Sequence, residues 1–221
     1  MPAQLDHPRD AARFFDGFAT TFDTLYDGQR GPLMRWLDQR YRSDIEIRYR
    51  LTFERLGDLT GCTVLDIGCG SGPYLVAALR QGAARVTGVD PAPGMLRIAA
   101  ERLEAAGLRG RCRLVESPFP GAPVARHDYA IVMGVMDYVR DAPAFLSALR
   151  SRIRRGAALS FPSIHWFRTP FRRFRYRLRH CPLYFRDRDT VARLCRDAGF
   201  GDVAVHAIPG AGQDYHVWAR V

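Results

Sequence analysis

Val64-Leu65-Asp66-Ile67-Gly68-Cys69-Gly70-Ser71-Gly72 decides how this chain is read. An apolar run bearing one carboxylate passes directly into glycines spaced G-x-G-x-G. Apolar runs of this length, bounded by glycine, read as buried strands. Glycine has no Cβ and accepts positive φ, so backbone at such a turn can pass close beneath a ligand. A second apolar run, Arg85-Val86-Thr87-Gly88-Val89, ends at Asp90, 22 residues after Gly68. That is about the spacing at which an acid on the next strand reaches ribose hydroxyls in a doubly wound sheet. Strand, glycine turn and second acid together describe a pocket for a nucleoside cofactor.

Working outward, strands are expected at 62–67, 85–90, 112–116, 128–133 and 156–161, and helices at 73–81, 93–106 and 142–152. Strands alternating with helices imply a parallel sheet covered on both faces. A helix over 188–198 stops at Gly199. Two last strands follow near 201–207 and 214–220, joined through Pro209-Gly210-Ala211-Gly212 as a hairpin. Upstream, residues 8–26 are rich in aromatics (Phe14, Phe15, Phe18, Phe22, Tyr26) and suggest one or two short helices. Residues 32–57 read as a longer helix, with Leu33, Trp36, Leu37, Tyr41, Ile45 and Tyr49 near helical period and Gly57 and Gly61 at its end.

Two cofactor classes compete for the turn. A dinucleotide site prefers G-x-G-x-x-G, where a helix N-terminus meets pyrophosphate. Here the third glycine comes one residue early, and Asp66 aims negative charge at the turn. That charge opposes a pyrophosphate and suits an ammonium group. S-adenosylmethionine carries an α-ammonium and no phosphate, so it is the expected cofactor, with S-adenosylhomocysteine as product. No histidine or cysteine cluster has metal-ligand spacing, and no metal is expected.

With these residues in view, 60–161 resembles the class I S-adenosylmethionine-dependent methyltransferases, whose signature V-L-D-I-G-C-G-S-G is. The resemblance implies an α/β, Rossmann-like seven-stranded sheet, mostly parallel with one antiparallel strand, which the final hairpin fits. It implies that Asp66 faces the methionine amino group while Gly68, Cys69, Gly70 and Gly72 carry the turn beneath the cofactor. Asp90 would take the ribose hydroxyls, and Pro91 and Met95 would pack near adenine. Either Glu116 or Ser117 would meet the adenine amino edge, and Met133 and Gly134 would line the methionine end. Phe14-Phe15-Asp16 through Tyr26 looks like the lid opening of small-molecule methyltransferases; a core-packing aromatic stripe is the competing reading. The implied organisation is one domain over 1–221. It has a helical lid (1–59), a cofactor core (60–161), a basic substrate-side insertion (162–186) and a C-terminal helix with hairpin (187–221). Tyr26-Asp27-Gly28, the Arg48–Leu56 helix and the basic segment are loosely similar to magnesium-protoporphyrin O-methyltransferases. That family has a histidine where Asp137 stands here, so its substrate is not carried over.

The acceptor is addressed by different residues. Methyl transfer is an in-line displacement, and a base is needed only when the acceptor holds its proton. The loops after strands four and five offer Asp137, Tyr138 and His165. His165 has an ordinary pKa suited to neutral proton transfer; loop or packing roles compete for all three. Tyr26 and Trp166 are candidates for shaping the acceptor pocket. All 33 basic residues are arginine. Residues 1–60 carry net −1, 61–150 net +2 and 151–221 net +9. Residues 165–180 hold six arginines, five aromatic rings and no acid, with Phe171, Phe174 and Leu178 at helical spacing. Arg168, Arg172 and Arg173 suit a clamp for an anionic acceptor. A solvated helix, a peripheral membrane contact and RNA contact are the alternatives. A small molecule methylated on oxygen is the expected acceptor, and RNA the alternative. Nucleic acid is disfavoured because N-P-P-Y and strand-end Pro-Cys motifs are absent. Scattered cysteines, no apolar leader and no ~18-residue apolar run suggest a cytoplasmic monomer or homodimer.

Overall fold

The computed structural model describes residues 46–163, 183–208 and 214–221. The expected lid helices before residue 46, the arginine segment 165–180 and the 209–212 turn lie outside these residues. A helix through residues 46–56 (α1) precedes β1 (Thr63–Ile67), α2 (Pro73–Arg80), β2 (Arg85–Asp90) and α3 (Pro93–Ala105). After a short 3₁₀ turn come β3 (Cys112–Glu116), β4 (His127–Val132), α4 (Ala142–Ser151), β5 (Ile153–Phe161), α5 (Arg188–Asp197), β6 (Asp202–Ala207) and β7 (Tyr215–Arg220). The seven strands lie in the order β3-β2-β1-β4-β5-β7-β6. β1 to β5 are parallel, and β7 runs antiparallel to both β5 and β6. The strand order reverses between β1 and β4, where open α/β sheets bind ligands beyond their carboxyl ends.

The alternation of side chains along the strands feeds two cores. Val64, Ile131, Ala158 and Trp218 share one face with Phe53 and Leu56 of α1, Leu75 and Leu79 of α2 and Leu103 of α3. Leu65, Ile67, Val132, Leu159 and Val217 share the other with Phe145, Leu146 and Leu149 of α4 and Val191 and Cys195 of α5. Helices α4 and α5 start where their sequences supply a cap: Asp141 accepts from the Ala144 N–H at 3.0 Å and Asp187 from the Thr190 N–H at 2.8 Å.

The largest departure from the expected boundaries is β5, which begins at Ile153 rather than 156. Arg154-Arg155 reads as a loop, yet both side chains stand outside the core. Arg154 lies 3.8 Å from Asp128, and the Arg155 guanidinium sits 5.8 Å over the Tyr129 ring. β4 likewise begins one residue early, at His127. Its ring is buried between the Thr87 hydroxyl and the Ala125 carbonyl, both at 2.9 Å, and burial lowers its pKa. The described cysteines (Cys62, Cys69, Cys112 and Cys195) are free thiols.

Gly88, in mid-β2, lets the glycine turn and α2 seat on the sheet. A Cβ there would meet Cys69 Sγ and Leu75 Cδ1 at 2.9 Å and Leu114 Cδ2 at 3.1 Å. Gly88→Ala is therefore expected to lower unfolding free energy by about 1–3 kcal/mol, the usual range for overpacking a filled core. Urea denaturation measures it; an unchanged midpoint would show that α2 shifts freely against the strand.

Candidate functional site

The glycine turn leaves β1 at the switch point and folds back over the end of β2. The Gly68 and Cys69 N–H groups donate to the Val89 carbonyl at 2.7 and 3.2 Å, and the Gly70 N–H donates to Asp90 Oδ2 at 2.9 Å. Arg102 of α3 clamps the far side, donating to the Ser71 carbonyl at 2.8 Å and to its hydroxyl at 3.0 Å. Gly68, at φ +69°, has no alternative: a Cβ would lie 2.3 Å from Val135 Cγ2 of the loop after β4. Nothing lies within 4 Å of the Cβ position at Gly70, so the turn presents an open backbone surface there. The Cys69 side chain turns inward into the α2 core, leaving its main chain to the turn.

Beneath this turn sit two carboxylates. Asp66 is only 2% exposed, and its Oδ2 is buried without a hydrogen-bond partner. Burial, reinforced by the charge of Asp90, pushes its pKa up to about 8. Asp90 is held differently. Its Oδ1 accepts from the Ala92 N–H and its Oδ2 from the Gly70 N–H, both at 2.9 Å. Burial raises its pKa while those two hydrogen bonds oppose the rise. Each Asp90 oxygen keeps a further lone pair, since an ionised carboxylate offers about four acceptor sites. Asp66 is thus fitted to a cation donor, and Asp90 to hydroxyl donors.

The other expected cofactor residues line the same carboxyl edge. Pro91 is half-buried, and Met95 is buried against Ala92 and Ile98. Glu116 is exposed at the end of β3, in register with Asp90. The neighbouring Ser117 donates its N–H to the Asp90 carbonyl at 3.2 Å and its hydroxyl to the Pro118 carbonyl at 3.1 Å. Gly134 donates its N–H to Ser160 Oγ at 2.8 Å, and Met133 Sδ lies 3.9 Å from Thr52 Oγ1.

Asp137 and Tyr138, expected to face the acceptor, form a turn after β4. Asp137 is buried, and its carbonyl accepts the Tyr184 N–H at 2.8 Å. Arg186 crosses beneath the loop, donating to the Val139 carbonyl at 2.9 Å and the Met136 carbonyl at 3.2 Å. Burial lowers the Arg186 pKa and the nearby Asp137 charge raises it. Tyr26, His165, Trp166, Arg168, Arg172 and Arg173 lie outside the described residues.

Several residues at this edge were not singled out by the sequence. Thr52 and His216 are fully buried, with Oγ1 and Nε2 3.2 Å apart, and Arg48 Nη2 donates to Asp214 Oδ2 at 3.2 Å. Burial and neighbouring cations bring the His216 pKa down to about 4, so it is neutral at physiological pH. One signal was available: Arg48, Thr52 and Arg55 fall at i, i+4, i+7, a polar stripe along one side of the helix. Among the described residues no group of three or more His, Cys, Asp or Glu is placed to hold a metal, and no helix is long and apolar enough to cross a membrane.

The sheet order, the turn and the paired acids define a class I methyltransferase fold. Residues 64–156 match the family model described as a methyltransferase domain, and the chain carries a domain of the class I S-adenosylmethionine-dependent methyltransferases. Among curated relatives, a ubiquinone biosynthesis O-methyltransferase of Methylobacterium sp. (strain 4-46) is 38% identical over 100 residues, 44% of this chain and 39% of the relative. A tRNA U34 carboxymethyltransferase of Idiomarina loihiensis is 33% identical over 132 residues, 58% of this chain and 40% of the relative. The chain thus spans about two fifths of the length of these relatives. The magnesium protoporphyrin IX methyltransferase (ChlM) of Synechocystis PCC 6803, solved with bound SAH, superposes with a TM-score of 0.73 at 20% identity, covering 97% of this chain and 99% of that one. At that identity the likeness establishes the fold.

The buried Asp66 carries a consequence for stability. Its folded pKa lies above the ordinary carboxyl value, so between about 3.8 and about 8 the folded chain holds a proton that the unfolded chain has released. Stability from this group is full below that window and is lost as pH rises through it. Asp66→Asn removes the titration. The variant is expected to melt higher than the parent at pH 8, with the difference shrinking toward pH 5; thermal melts at the two pH values check it. An equal difference at both pH values would place the Asp66 pKa outside this window.

Proposed function

We propose that this chain transfers a methyl group from S-adenosylmethionine to an oxygen of a small, anionic or amphiphilic acceptor, releasing S-adenosylhomocysteine. The observation that carries the reading is the buried, unpartnered Asp66 oxygen beneath a turn whose backbone is open at Gly70. A dinucleotide phosphate there would face two carboxylates; an α-ammonium relieves them. The cofactor supplies a methyl carbon bonded to a sulfonium, which leaves as a neutral thioether when the acceptor oxygen attacks. The residues of the chain bind and orient. Asp66 ionises against the ammonium, Asp90 accepts from the ribose hydroxyls, and Glu116 or Ser117 meets the adenine edge. Met133 and Gly134 bound the methionine end.

Asp137 and Tyr138 stand next on the acceptor side. In this reading the loop that carries them is held by Arg186, and His165, Tyr26, Trp166, Arg168, Arg172 and Arg173 complete the acceptor chamber. Orientation and water exclusion supply most of the rate, as befits a displacement that needs no base when the acceptor is already ionised. The match to an O-methyltransferase of ubiquinone biosynthesis supports a small-molecule acceptor. The match to a tRNA carboxymethyltransferase keeps RNA as the competing acceptor, but this sequence has neither the N-P-P-Y nor the strand-end Pro-Cys motif.

Cofactor binding is expected to be linked to protons. At pH 7 Asp66 enters protonated and leaves ionised, so S-adenosylhomocysteine binding releases close to one proton. Affinity then rises up to about tenfold per pH unit toward about 8 and levels above it. Calorimetry in two buffers of different ionisation heat counts the proton, and 5′-methylthioadenosine, which lacks the amino-acid tail, should release none. No binding of either ligand to folded protein would end the reading. For the acceptor, methyl-labelled cofactor with a fractionated extract should place label in small molecules; label confined to RNA would replace this acceptor with the alternative.

A further inference from the structure

A register row runs Cys112–Val86–Val64–Tyr129–Gly156–Arg220 across β3, β2, β1, β4, β5 and β7. It marks the end of the sheet away from the glycine turn: along β2, Val86 and Asp90 stand about 13 Å apart. Just outside the row, at the starts of the parallel strands, come Arg111, Arg85, Arg126, Arg154 and Arg155, with Arg220 in the row itself. All six are exposed.

Several of these cations are pinned by neutral partners, which fix the side chain without cancelling its charge. Arg126 Nη2 donates to the Ile153 carbonyl at 3.1 Å, and Arg152 Nη1 donates to the Val124 carbonyl, so the chain entering β4 and the chain entering β5 each hold the other. Arg109 Nη1 donates to the Cys112 carbonyl at 2.8 Å, and the Arg155 guanidinium lies over the Tyr129 ring. A guanidinium carries five N–H donors, so each keeps donors for an anion. The acids at this end answer little of the charge. Asp128 lies 3.8 Å from Arg154 but also accepts from the Thr63 N–H and hydroxyl, both at 2.8 Å. Asp202 lies 3.9 Å from Arg220, an exposed pair of small energetic weight. Asp58 turns back onto the Thr60 N–H and hydroxyl, while Glu104 and Asp197 stand in the last turns of α3 and α5.

We propose that this arginine-lined end of the sheet docks the phosphate backbone of duplex RNA, on the side of the molecule opposite the methyl-donor site. Its makeup selects among polyanions. Of the exposed large apolar side chains among the described residues, only Val221 stands here, and Tyr129 is half-buried beneath Arg155. A stable protein interface is built on an apolar core with aromatic anchors. A membrane-lying element needs an apolar face, and single-stranded nucleic acid needs aromatic platforms. A duplex backbone needs only placed cations, and nucleic-acid interfaces are far more basic than those between proteins. The arginine fork suits phosphate oxygens. From β3 to β7 the row covers five strand spacings, about 24 Å, enough to meet several successive phosphates. Strand starts and the loops ahead of them offer no helix to enter the major groove of DNA. A-form RNA, recognised mainly through its shape and phosphates, asks for none. RNA held here is a docking partner, away from the donor, so the inference stands apart from the function proposed above.

Fluorescence anisotropy on the full chain would use a labelled RNA duplex of about 16 base pairs, the span of a typical double-strand reader. The logarithm of affinity should fall linearly with the logarithm of salt concentration, as counterion release requires. Combining Arg85→Gln, Arg111→Gln and Arg154→Gln should weaken the duplex by about tenfold or more and make the salt slope shallower by about one per arginine. Combining Arg97→Gln, Arg140→Gln and Arg188→Gln removes the same charge elsewhere and should keep affinity within about threefold. Thermal melts certify both variants as folded; should the first melt low, its three single substitutions, each lowering the slope by about one, carry the same test. Saturating S-adenosylhomocysteine should leave duplex affinity unchanged. Equal losses in the two variants would mean that only net charge matters and would overturn the proposal. So would competition by S-adenosylhomocysteine, or a loss produced only by Arg168→Gln, Arg172→Gln and Arg173→Gln, since either moves the RNA to the acceptor side. A DNA duplex of the same sequence should bind about threefold or more weaker, and equal binding would overturn the choice of RNA. No duplex binding at low salt would overturn docking outright, and capture by phosphatidylglycerol vesicles in its place would point to a membrane. Failure to bind S-adenosylhomocysteine with duplex binding intact would instead sink the cofactor reading and leave this inference standing.

Discussion

The fold-back of the glycine turn onto β2 is the constraint on which the site depends. Three successive backbone donors, from Gly68, Cys69 and Gly70, end on the Val89 carbonyl and the Asp90 carboxylate. Gly88 makes the approach sterically possible from below, and Arg102 holds Ser71 from the other side. This arrangement fixes Asp90 and roofs Asp66 in one step. It also brings Val135 against Gly68, which ties the loop after β4 to the turn after β1. The turn after β1 and the loop after β4 are therefore one packed unit.

Two buried carboxylates near each other are an expense the fold bears for function. Asp90 is compensated by two backbone N–H groups; Asp66 has none for its Oδ2. A core optimised for stability alone would place an apolar side chain at residue 66, between Leu65 and Ile67. Buried polar groups left unpartnered are uncommon in folded proteins and call for an explanation. In the function proposed above, the cofactor's ammonium is that partner, set against the burial and the Asp90 charge that raise the Asp66 pKa.

Much of this was legible in the sequence because it is local. The strand, the turn and Asp90 occupy 27 consecutive residues, from Val64 to Asp90, and period and glycine spacing read them directly. Two strand starts were misread where side-chain polarity misleads. Arg154-Arg155 looks like a loop but is strand, because its arginines lie over Asp128 and Tyr129 outside the core. His127 looks like a loop residue but is buried against Thr87. The Arg48–Asp214 and Thr52–His216 contacts were not legible. They join residues 166 and 164 positions apart, and they depend on the register of β7 against β5 and on how α1 lies across it. No local pattern specifies either. The stripe Arg48, Thr52, Arg55 announces that α1 has a polar seam, but what the seam meets is a property of the assembled sheet.

The same distinction bears on the arginine segment. Ser163 and Arg186 form an isolated parallel bridge, and the Arg186 N–H donates to the Pro162 carbonyl at 3.3 Å. The Arg186 side chain meanwhile donates to carbonyls of the loop after β4, and Tyr184 donates its N–H to the Asp137 carbonyl. The chain thus leaves β5 and returns to it at one point, beside Asp137 and Tyr138. Composition alone places 14 of the 33 arginines after residue 150, without saying which side of the sheet they serve. The bridge supplies one direction: Ser163 and Arg186, the described residues on either side of that stretch, meet at the carboxyl edge, next to the loop that packs on Gly68.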